Sequence, residues 1–176
     1  RGLGDVYKRQ VDGISRSNLA GLLLQDPRAF APCTAEAVME LCRFYKVPLS
    51  GKEVCILGRS LVVGKPLSLL MLGEDATVTI CHSRTENSKE ICRRADVLVT
   101  AMGKAKAVGS SYCKEGATVI DVGINTDKDG NLCGDVDYDT MKTVAERLSP
   151  VPGGIGPITT AVLARHLVRA YQMQTE

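Results

Sequence analysis

The sequence predicts an α/β protein built on a doubly wound parallel sheet. Unbroken apolar runs alternate with segments of helical period along most of the chain. Such runs are typical of strands that are buried on both faces of a parallel sheet, and the run 54–57, bounded by Gly58, is the clearest of them. The alternation predicts right-handed strand-helix-strand units whose ligands bind at the carboxyl ends of the strands.

The individual elements follow from the same periodicities. The first helix is expected to begin at Thr34, which would cap it, and to end at Tyr45. The later strands are expected at 76–81, 97–100 and 118–122. The later helices are expected at 64–72, 86–94, 137–148 and 158–172, with a helical turn at 110–114 and a tight turn at 128–131. His166 is interpreted as an exposed or core-edge residue of the last helix.

The composition places the chain among ordinary globular proteins. Its 176 residues fit one domain, and 44% hydrophobic with 24% charged residues is a typical balance. No apolar stretch approaches the roughly 20 residues that cross a bilayer. The net charge of +2 comes from Arg1, Lys8 and Arg9 against Asp5, so the remaining chain is neutral. Charge therefore gives no argument for nucleic-acid or anionic-membrane binding, and neither partner is expected.

The first ten residues and the cysteines indicate the cellular compartment in which the protein is expected. Residues 1–10 share no periodicity with the following chain and are interpreted as a non-native leader. They contain no apolar run of a signal peptide, so a cytoplasmic location is expected. The seven cysteines are odd in number, and no two lie three positions apart. They are expected to be reduced, with neither a disulfide framework nor a metal site.

The segment after the first strand, GRSLVVGKP, has features of a dinucleotide-binding turn. Gly58 takes the place of the turn glycine and Ser60 that of the small residue beside the pyrophosphate, while Gly64 comes one position later than usual. A bare pattern of this kind also fits an ordinary strand-to-helix turn. Its place after the first buried strand of an alternating series favours a dinucleotide site, with free N–H groups at the helix start.

The end of the second strand distinguishes NAD from NADP. An acid there binds the ribose 2′-hydroxyl, whereas a basic or hydroxyl group accommodates a 2′-phosphate. The chain has Ser83 at this place and no acid before Glu86, and Arg59 adds a guanidinium. These residues predict NADP, although Arg59 and Arg84 also fit solvated surface groups.

The loop before the last helix is unusually rich in glycine and proline. Three glycines and two prolines occur between Pro152 and Pro157. This density predicts a fixed loop that brings backbone close to a ligand and directs it at a helix start.

Seven blocks of the sequence resemble, in order, the bifunctional methylenetetrahydrofolate dehydrogenase/methenyltetrahydrofolate cyclohydrolase family. They span nearly all of residues 11–176. The blocks are VDG at 11–13, APCTAEAV at 31–38, GRSLVVGKP at 58–66, ATVTICHSRT at 76–85, VIDVGIN at 119–125, GDVDY at 134–138 and PVPGGIGPIT at 150–159.

The resemblance implies oxidation of 5,10-methylenetetrahydrofolate to the methenyl form by hydride transfer to NADP, then hydrolysis to 10-formyltetrahydrofolate. Asp12 would lie against the pterin, where a carboxylate can accept two N–H bonds. The dinucleotide would be held by Gly58, Arg59, Ser60, Ser83 and Ile124, with Thr159 near the nicotinamide. The folate would be bordered by Pro152, Gly153, Gly154, Ile155 and Gly156.

The chain also departs from the family. Members begin with an α/β catalytic domain whose tyrosine and lysine, four apart on a helix, perform the proton chemistry, and only the tail of that domain, 11–30, has a counterpart here. The catalytic residues are therefore unknown. The expected organisation continues with a connecting helix at 31–50, a Rossmann-type dinucleotide-binding domain at 51–156 and a C-terminal helix at 157–176 that returns toward the catalytic domain.

The resemblance thus implies a homodimeric enzyme with tetrahydrofolate substrates, represented here by an inactive fragment. The alternative is a non-catalytic NADP-binding module that acts as a subunit or sensor. An upstream, in-frame tyrosine-lysine domain would distinguish the enzyme from the module.

Overall fold

The computed structural model describes residues 11–175, so the leader interpreted at 1–10 lies outside the described residues. The helices are α1 (Arg16–Leu23), α2 (Cys33–Phe44), α3 (Gly64–Gly73), α4 (Ser88–Cys92), α5 (Tyr138–Met141) and α6 (Ile155–Thr175), with a 3₁₀ turn at Ser110–Tyr112. The strands are β1 (Glu53–Leu57), β2 (Thr77–Cys81), β3 (Val97–Thr100), β4 (Thr118–Asp121), β5 (Asn125–Thr126), β6 (Leu132–Cys133) and β7 (Arg147–Leu148).

A five-stranded parallel sheet in the order β2-β1-β3-β4-β7 forms the centre of the described chain. The chain moves from β1 to β2 on one side and then returns to place β3 on the other side of β1. Val54 of β1 accordingly pairs with Val78 on one side and Val97 on the other. The reversal makes the sheet doubly wound, with its switch point between β1 and β3, and confirms the predicted fold class.

Helices cover both faces of the sheet, so the side chains on both faces of β1 are buried. Val54 and Ile56 pack on the side of α2, α3 and α6. Cys55 and Leu57 point to the opposite side, where α4, the 3₁₀ turn and α5 pack. Because successive side chains of a strand face opposite ways, a strand covered on both faces has to be apolar throughout.

The predicted strands are confirmed to within one residue at each end, but the helix predicted over 137–148 is wrong. Only Tyr138–Met141 is helical, and the chain then extends as β7, in which Leu148 pairs with Val119. The apolar residues of this segment recur at helical spacing because they face one apolar layer. Pairing along the edge of β4 overrides that spacing, and two residues are too few to show the alternation of a strand.

Three helix starts also differ from the prediction, and α4 covers only Ser88–Cys92 of the helix expected at 86–94. α2 begins at Cys33 with Pro32 at its cap, so Thr34 lies in the first turn and its side chain caps nothing. α6 begins at Ile155, three residues earlier than expected. Pro157 fits the first turn of α6, because the N–H that proline lacks would have no helical partner there.

The turn predicted at 128–131 is confirmed and closes a hairpin that the sequence did not predict. β5 and β6 flank it, with Asn125 paired to Cys133 and Thr126 to Leu132. The Asp127 side chain accepts hydrogen bonds from the backbone N–H groups of Asp129 and Asn131 inside the turn.

Within residues 11–175, no helix combines the length and the apolarity that a membrane crossing needs.

The carboxylate of Asp121, at the end of β4, is the polar centre of the sheet's carboxyl edge. It is 3% exposed and accepts hydrogen bonds from the Thr100 hydroxyl at 2.9 Å and the Gly123 N–H at 2.9 Å. It also accepts from the N–H groups of Asp135 at 3.1 Å and Val136 at 2.9 Å. Burial raises the pKa of the carboxyl, and the four donors oppose that effect by favouring the charged form.

Asp135 continues this network to the loop after β3. Its carboxylate accepts from the N–H groups of Met102 at 2.5 Å, Gly103 at 3.2 Å and Lys104 at 2.7 Å. It also accepts from the Asn125 side-chain amide at 2.9 Å. The two acids thereby fix three loops relative to one another: those after β3 and β4, and the return from the hairpin.

The Asp121 network predicts a large stability effect for Asp121→Asn. In either orientation the amide NH₂ of asparagine faces at least one backbone N–H, which leaves a buried donor without a partner. We expect a loss of about 3 kcal/mol in the free energy of unfolding. Urea unfolding at pH 7 measures it. The control is Asp139→Asn, since the Asp139 side chain is 85% exposed; equal midpoints for the two variants would contradict the prediction.

Candidate functional site

The parallel sheet gathers the sequence-predicted site residues at one edge. All five strands end there, so the loops after β1, β2, β3, β4 and β7 share that edge. The predicted cofactor residues other than Thr159 lie on the loops after β1, β2 and β4, the glycine-proline loop follows β7, and Thr159 lies near the start of α6. The expected grouping at the carboxyl edge is therefore present in the structure.

The turn after β1 depends on two glycines at close backbone approaches. Gly58 has φ of +135°, and a Cβ there would collide with the carbonyl oxygen of Ala101. A Cβ on Gly64 would collide with the carbonyl oxygen of Gly58. The Ser60 hydroxyl accepts a hydrogen bond from the Val63 N–H at 3.0 Å and so orders the backbone immediately before α3. These contacts explain why glycine is needed at both Gly58 and Gly64, even though Gly64 comes one position later than the third glycine of the usual dinucleotide pattern.

Arg59 and Ser83 lie on neighbouring loops. Leu57 pairs with Cys81 in the register of β1 and β2, and the Gly58 N–H donates to the Cys81 carbonyl at 2.8 Å. Arg59, Ser83 and Arg84 are all exposed, and within residues 11–175 neither arginine forms an ion pair. Exposed guanidinium groups beside a hydroxyl suit an incoming phosphate.

The loop after β2 is ordered by its own polar groups. The His82 N–H donates to the Thr85 hydroxyl at 2.9 Å, and the Arg84 N–H donates to Nδ1 of His82 at 3.2 Å. Cys81, which precedes this loop, is fully buried. His82 therefore serves the shape of the loop that presents Ser83.

A cavity of about 370 Å³ joins the loop after β4 to the glycine-proline loop and the start of α6. Gly153 has φ of +100°, which glycine adopts without strain, and the Val151–Pro152 peptide bond is cis. A Cβ on Gly154 would collide with the Pro150 carbonyl. The cavity brings together Ile124, Pro152, Gly153, Gly154, Ile155, Gly156 and Thr159, all named from the sequence, and adds Thr34 from α2.

Asp12 lies apart from that cavity lining but is connected to it. Its side chain interacts with the Cys33 thiol, and burial, assisted by Asp12, raises the pKa of that thiol to about 12. Cys33 directly precedes Thr34 in α2, and Thr34 lines the cavity. The predicted pterin-binding acid is thus attached to the same helix start that borders the cavity.

His166 was interpreted from the sequence as exposed or at the edge of the core, and the structure corrects this. It is 1% exposed. Its Nδ1 lies 2.8 Å from the Val11 carbonyl oxygen and its Nε2 lies 2.8 Å from the Glu36 carboxylate. Both ring nitrogens therefore face acceptor oxygens, and the Cys33 sulfur also lies 3.6 Å from Nδ1. The pairing connects the segment before Asp12 to α6.

Sequence reasoning missed Asp121, Asp135 and the role of His166. The sequence did contain signals for the two acids: Asp121 lies inside the apolar run VIDV, and Asp135 lies in GDVD. A carboxylate inside an apolar strand has to find hydrogen-bond donors, so these acids could have been expected to form a buried network. The partners of His166 are 130 and 155 positions away, so no local pattern could reveal them.

Comparison with known proteins decides the family. Residues 32–175 match the family model described as tetrahydrofolate dehydrogenase/cyclohydrolase, NAD(P)-binding domain. The chain belongs to this family. It is 51% identical over 168 residues to a bifunctional protein FolD of Carboxydothermus hydrogenoformans, covering 94% of this chain and 58% of that protein. The resemblance noted in the sequence and the Rossmann-type fold are both confirmed.

Solved structures agree with that assignment. The bifunctional FolD enzyme of Campylobacter jejuni superposes with a TM-score of 0.91 at 37% identity, over 93% of this chain and 58% of that one. The FolD enzyme of Trypanosoma brucei, solved with NADP cofactor and inhibitor, has a TM-score of 0.88 at 37% identity, over 94% of this chain and 59% of that one. This chain therefore spans somewhat more than half the length of the relatives it matches.

The Glu36–His166 pair predicts a pH-dependent contribution to stability. Burial opposes ionisation of Glu36, but His166 and Arg165 outweigh it and hold the pKa of the carboxyl below its ordinary value of 4.5. A carboxyl whose folded-state pKa is depressed stabilises the fold above its unfolded-state pKa, and this stabilisation is lost as pH falls through the folded-state value. Glu36→Gln is expected to lower the free energy of unfolding by about 2 kcal/mol at pH 7.

The measurement is urea unfolding of the parent and of Glu36→Gln between pH 7 and pH 3. The difference between them should begin to shrink below about pH 4.5, where the Glu36 carboxyl of the unfolded parent begins to bind its proton, and should be lost as the pH falls through the lower folded-state pKa. Glu90→Gln serves as the control, because Glu90 is exposed on α4. A difference that stays constant across this range would show that the charge of Glu36 is not its source.

Proposed function

We propose that the complete protein catalyses NADP-dependent oxidation of 5,10-methylenetetrahydrofolate and hydrolysis of the methenyl product to 10-formyltetrahydrofolate. The single observation that carries the proposal is the cavity at the carboxyl edge. Its lining combines the cofactor-side residues Ile124 and Thr159 with the glycine-proline loop, and it lies on the edge that also bears the Gly58 turn. Family membership and 51% identity to a bifunctional FolD protein support the chemistry.

The dinucleotide is assigned to the loops after β1, β2 and β4. Gly58 and Ser60 shape the backbone that would receive the pyrophosphate at the start of α3, where helix N–H groups favour an anion. Arg59 and Ser83 are exposed on adjacent loops and suit the 2′-phosphate of NADP. Ile124, which is 68% exposed, and Thr159 border the cavity and suit the nicotinamide end.

The folate is assigned to the other side of the cavity. Backbone of Pro152–Gly156 borders it, and the Asp12 carboxylate is suited to the amino-pyrimidine edge of a pterin. When bound, the nicotinamide ring would accept the hydride, and the described residues hold and orient the two reactants. This chain covers 58% of the length of its Carboxydothermus relative. We assign the groups that move protons to the part of the protein that lies outside this chain.

We further propose a homodimer in the cytoplasm. A homodimer is implied by the family resemblance, and tetrahydrofolate derivatives are the proposed small-molecule partners. α6 bears exposed apolar side chains, among them Leu167, Val168 and Tyr171, that suit contact with another domain or subunit. The seven cysteines are free, which supports a reducing compartment such as the cytoplasm.

Cofactor selectivity tests the assignment of the 2′-phosphate. Arg59→Ala is expected to raise the dissociation constant for NADP by about 10-fold to 100-fold, the value of one charge-assisted hydrogen bond, and to leave NAD binding unchanged. Isothermal titration calorimetry with both dinucleotides measures this. Arg93→Ala is the control, since Arg93 is exposed beyond α4. Equal weakening for NADP and NAD would remove Arg59 from the 2′-phosphate site.

Turnover distinguishes the enzyme from a non-catalytic NADP-binding module. The 176-residue chain is expected to show no oxidation of methylenetetrahydrofolate and no hydrolysis of methenyltetrahydrofolate, although it binds NADP. The gene's complete reading frame, if it encodes an upstream tyrosine-lysine domain, is expected to show both. Turnover by the short chain would contradict its assignment as an inactive fragment. Dinucleotide binding without turnover by the complete protein would support the module instead.

A further inference from the structure

Three cysteines that are distant in sequence meet beneath α4. Cys55 lies on β1, Cys81 at the end of β2 and Cys92 at the end of α4. The Cys55 sulfur is 3.7 Å from that of Cys81 and 3.5 Å from that of Cys92, and all three sulfurs lie within 4.8 Å of one another. Each side chain is at most 1% exposed. The spacing rules for cysteine in sequence cannot detect this cluster, because the sheet and its crossover helix create it.

The sulfur triangle has nearly the size that a shared metal ion requires. Three sulfurs bound at about 2.3 Å around one ion in a plane lie about 4.0 Å apart. Two of the observed separations are 3.5 and 3.7 Å, so small side-chain movements would place an ion at the centre.

The donor set selects a particular class of ion. Thiolate ligands favour soft ions such as Cu(I), Zn(II) and iron in clusters. Structural zinc takes four ligands, but within residues 11–175 the only metal-binding group of His, Cys, Asp or Glu at this place consists of these three sulfurs. A dry site with three sulfurs therefore suits a single Cu(I) better than zinc.

A cavity beside the cluster brings charged groups near Cys55. It has a volume of about 110 Å³, lies between β1, β2 and α4, and is lined by Cys55 together with Arg94 and Glu53. Binding of one Cu(I) with release of two thiol protons, the third sulfur remaining a thiol, gives the site a charge of −1. The positive charge of Arg94 favours that net charge, whereas Glu53 in the same lining opposes it.

Without metal, the sulfurs of the cluster contact one another. The Cys55 sulfur lies 3.5 Å from that of Cys92 and 3.7 Å from that of Cys81, which suits S–H···S contacts. An ion that binds as described therefore has to displace thiol protons.

We propose that Cys55, Cys81 and Cys92 form a binding site for one Cu(I) ion held by three sulfurs. The site lies on the opposite side of the sheet from α2 and α6. It is independent of the proposed folate chemistry, so either proposal can fail without the other.

The test uses the purified chain under anaerobic conditions and a chromophoric Cu(I) chelator as competitor. The parent is expected to retain a single Cu(I) against the chelator, whereas Cys92→Ala loses it at the same chelator concentration. The matched control is Cys42→Ala, because Cys42 is also a buried helical cysteine but packs on the other face of the sheet. Equal retention by Cys92→Ala and the parent, or equal loss by Cys42→Ala, would overturn the proposal.

Further measurements distinguish loss of the copper site from a folding defect and identify the ligands of the bound ion. Circular dichroism and thermal unfolding of the metal-free variants establish that they fold, and Cys81→Ser provides a second, polar change at the cluster that should also lose copper. X-ray absorption of the loaded parent should show three sulfur neighbours. A two-sulfur shell, or tighter retention of Zn(II) than of Cu(I), would contradict the three-sulfur Cu(I) site.

Discussion

The buried carboxylate of Asp121 ends β4 with a negative charge that four donors surround. Those donors come from β3, from the loop after β4 and from the chain leaving the hairpin, so one side chain fixes the positions of three segments. Asp135 extends the arrangement to the loop after β3. Loops that carry ligand-binding groups need such support, because their own contacts are few and a misplacement of about 1 Å is costly.

A second set of contacts ties the N-terminal segment to this frame. Arg169 of α6 donates to the backbone carbonyls of Pro27 and Ala29, and its guanidinium lies 4.6 Å from the centre of the Phe30 ring. His166, one turn earlier on the same helix, holds Val11. α6 is therefore the element through which the segment carrying Asp12 is positioned relative to the sheet, which gives a physical role to a helix whose outer face is largely apolar and exposed.

Sequence reasoning succeeded where a single local constraint decides the outcome. Buried parallel strands must be apolar on both faces, so the sequence predicts β1 to β4 to within a residue. It also predicts Gly58 as the turn glycine after β1, and a Cβ at this position would collide with the Ala101 carbonyl. It failed where distant segments compete. The helix assigned over 137–148 was replaced by β7 because the edge of β4 offered pairing, and Asp135, His166 and the three clustered cysteines acquire their partners only through tertiary structure.

The short strand β7 has a consequence for solubility as well as for the site. The Ser149 N–H still bonds to Val119, and the Ser149 hydroxyl then accepts from the Asp121 N–H at 2.7 Å, in place of a further backbone rung. Pro150 follows and has no N–H to offer. β7 is the edge strand of the sheet, and it has only two residues before this proline. So short an edge is a poor template for strand addition by another molecule. After β7 the chain leaves the sheet and forms the glycine-proline loop that lines the cavity. The early end of this one strand therefore both limits strand addition and forms part of the cavity wall.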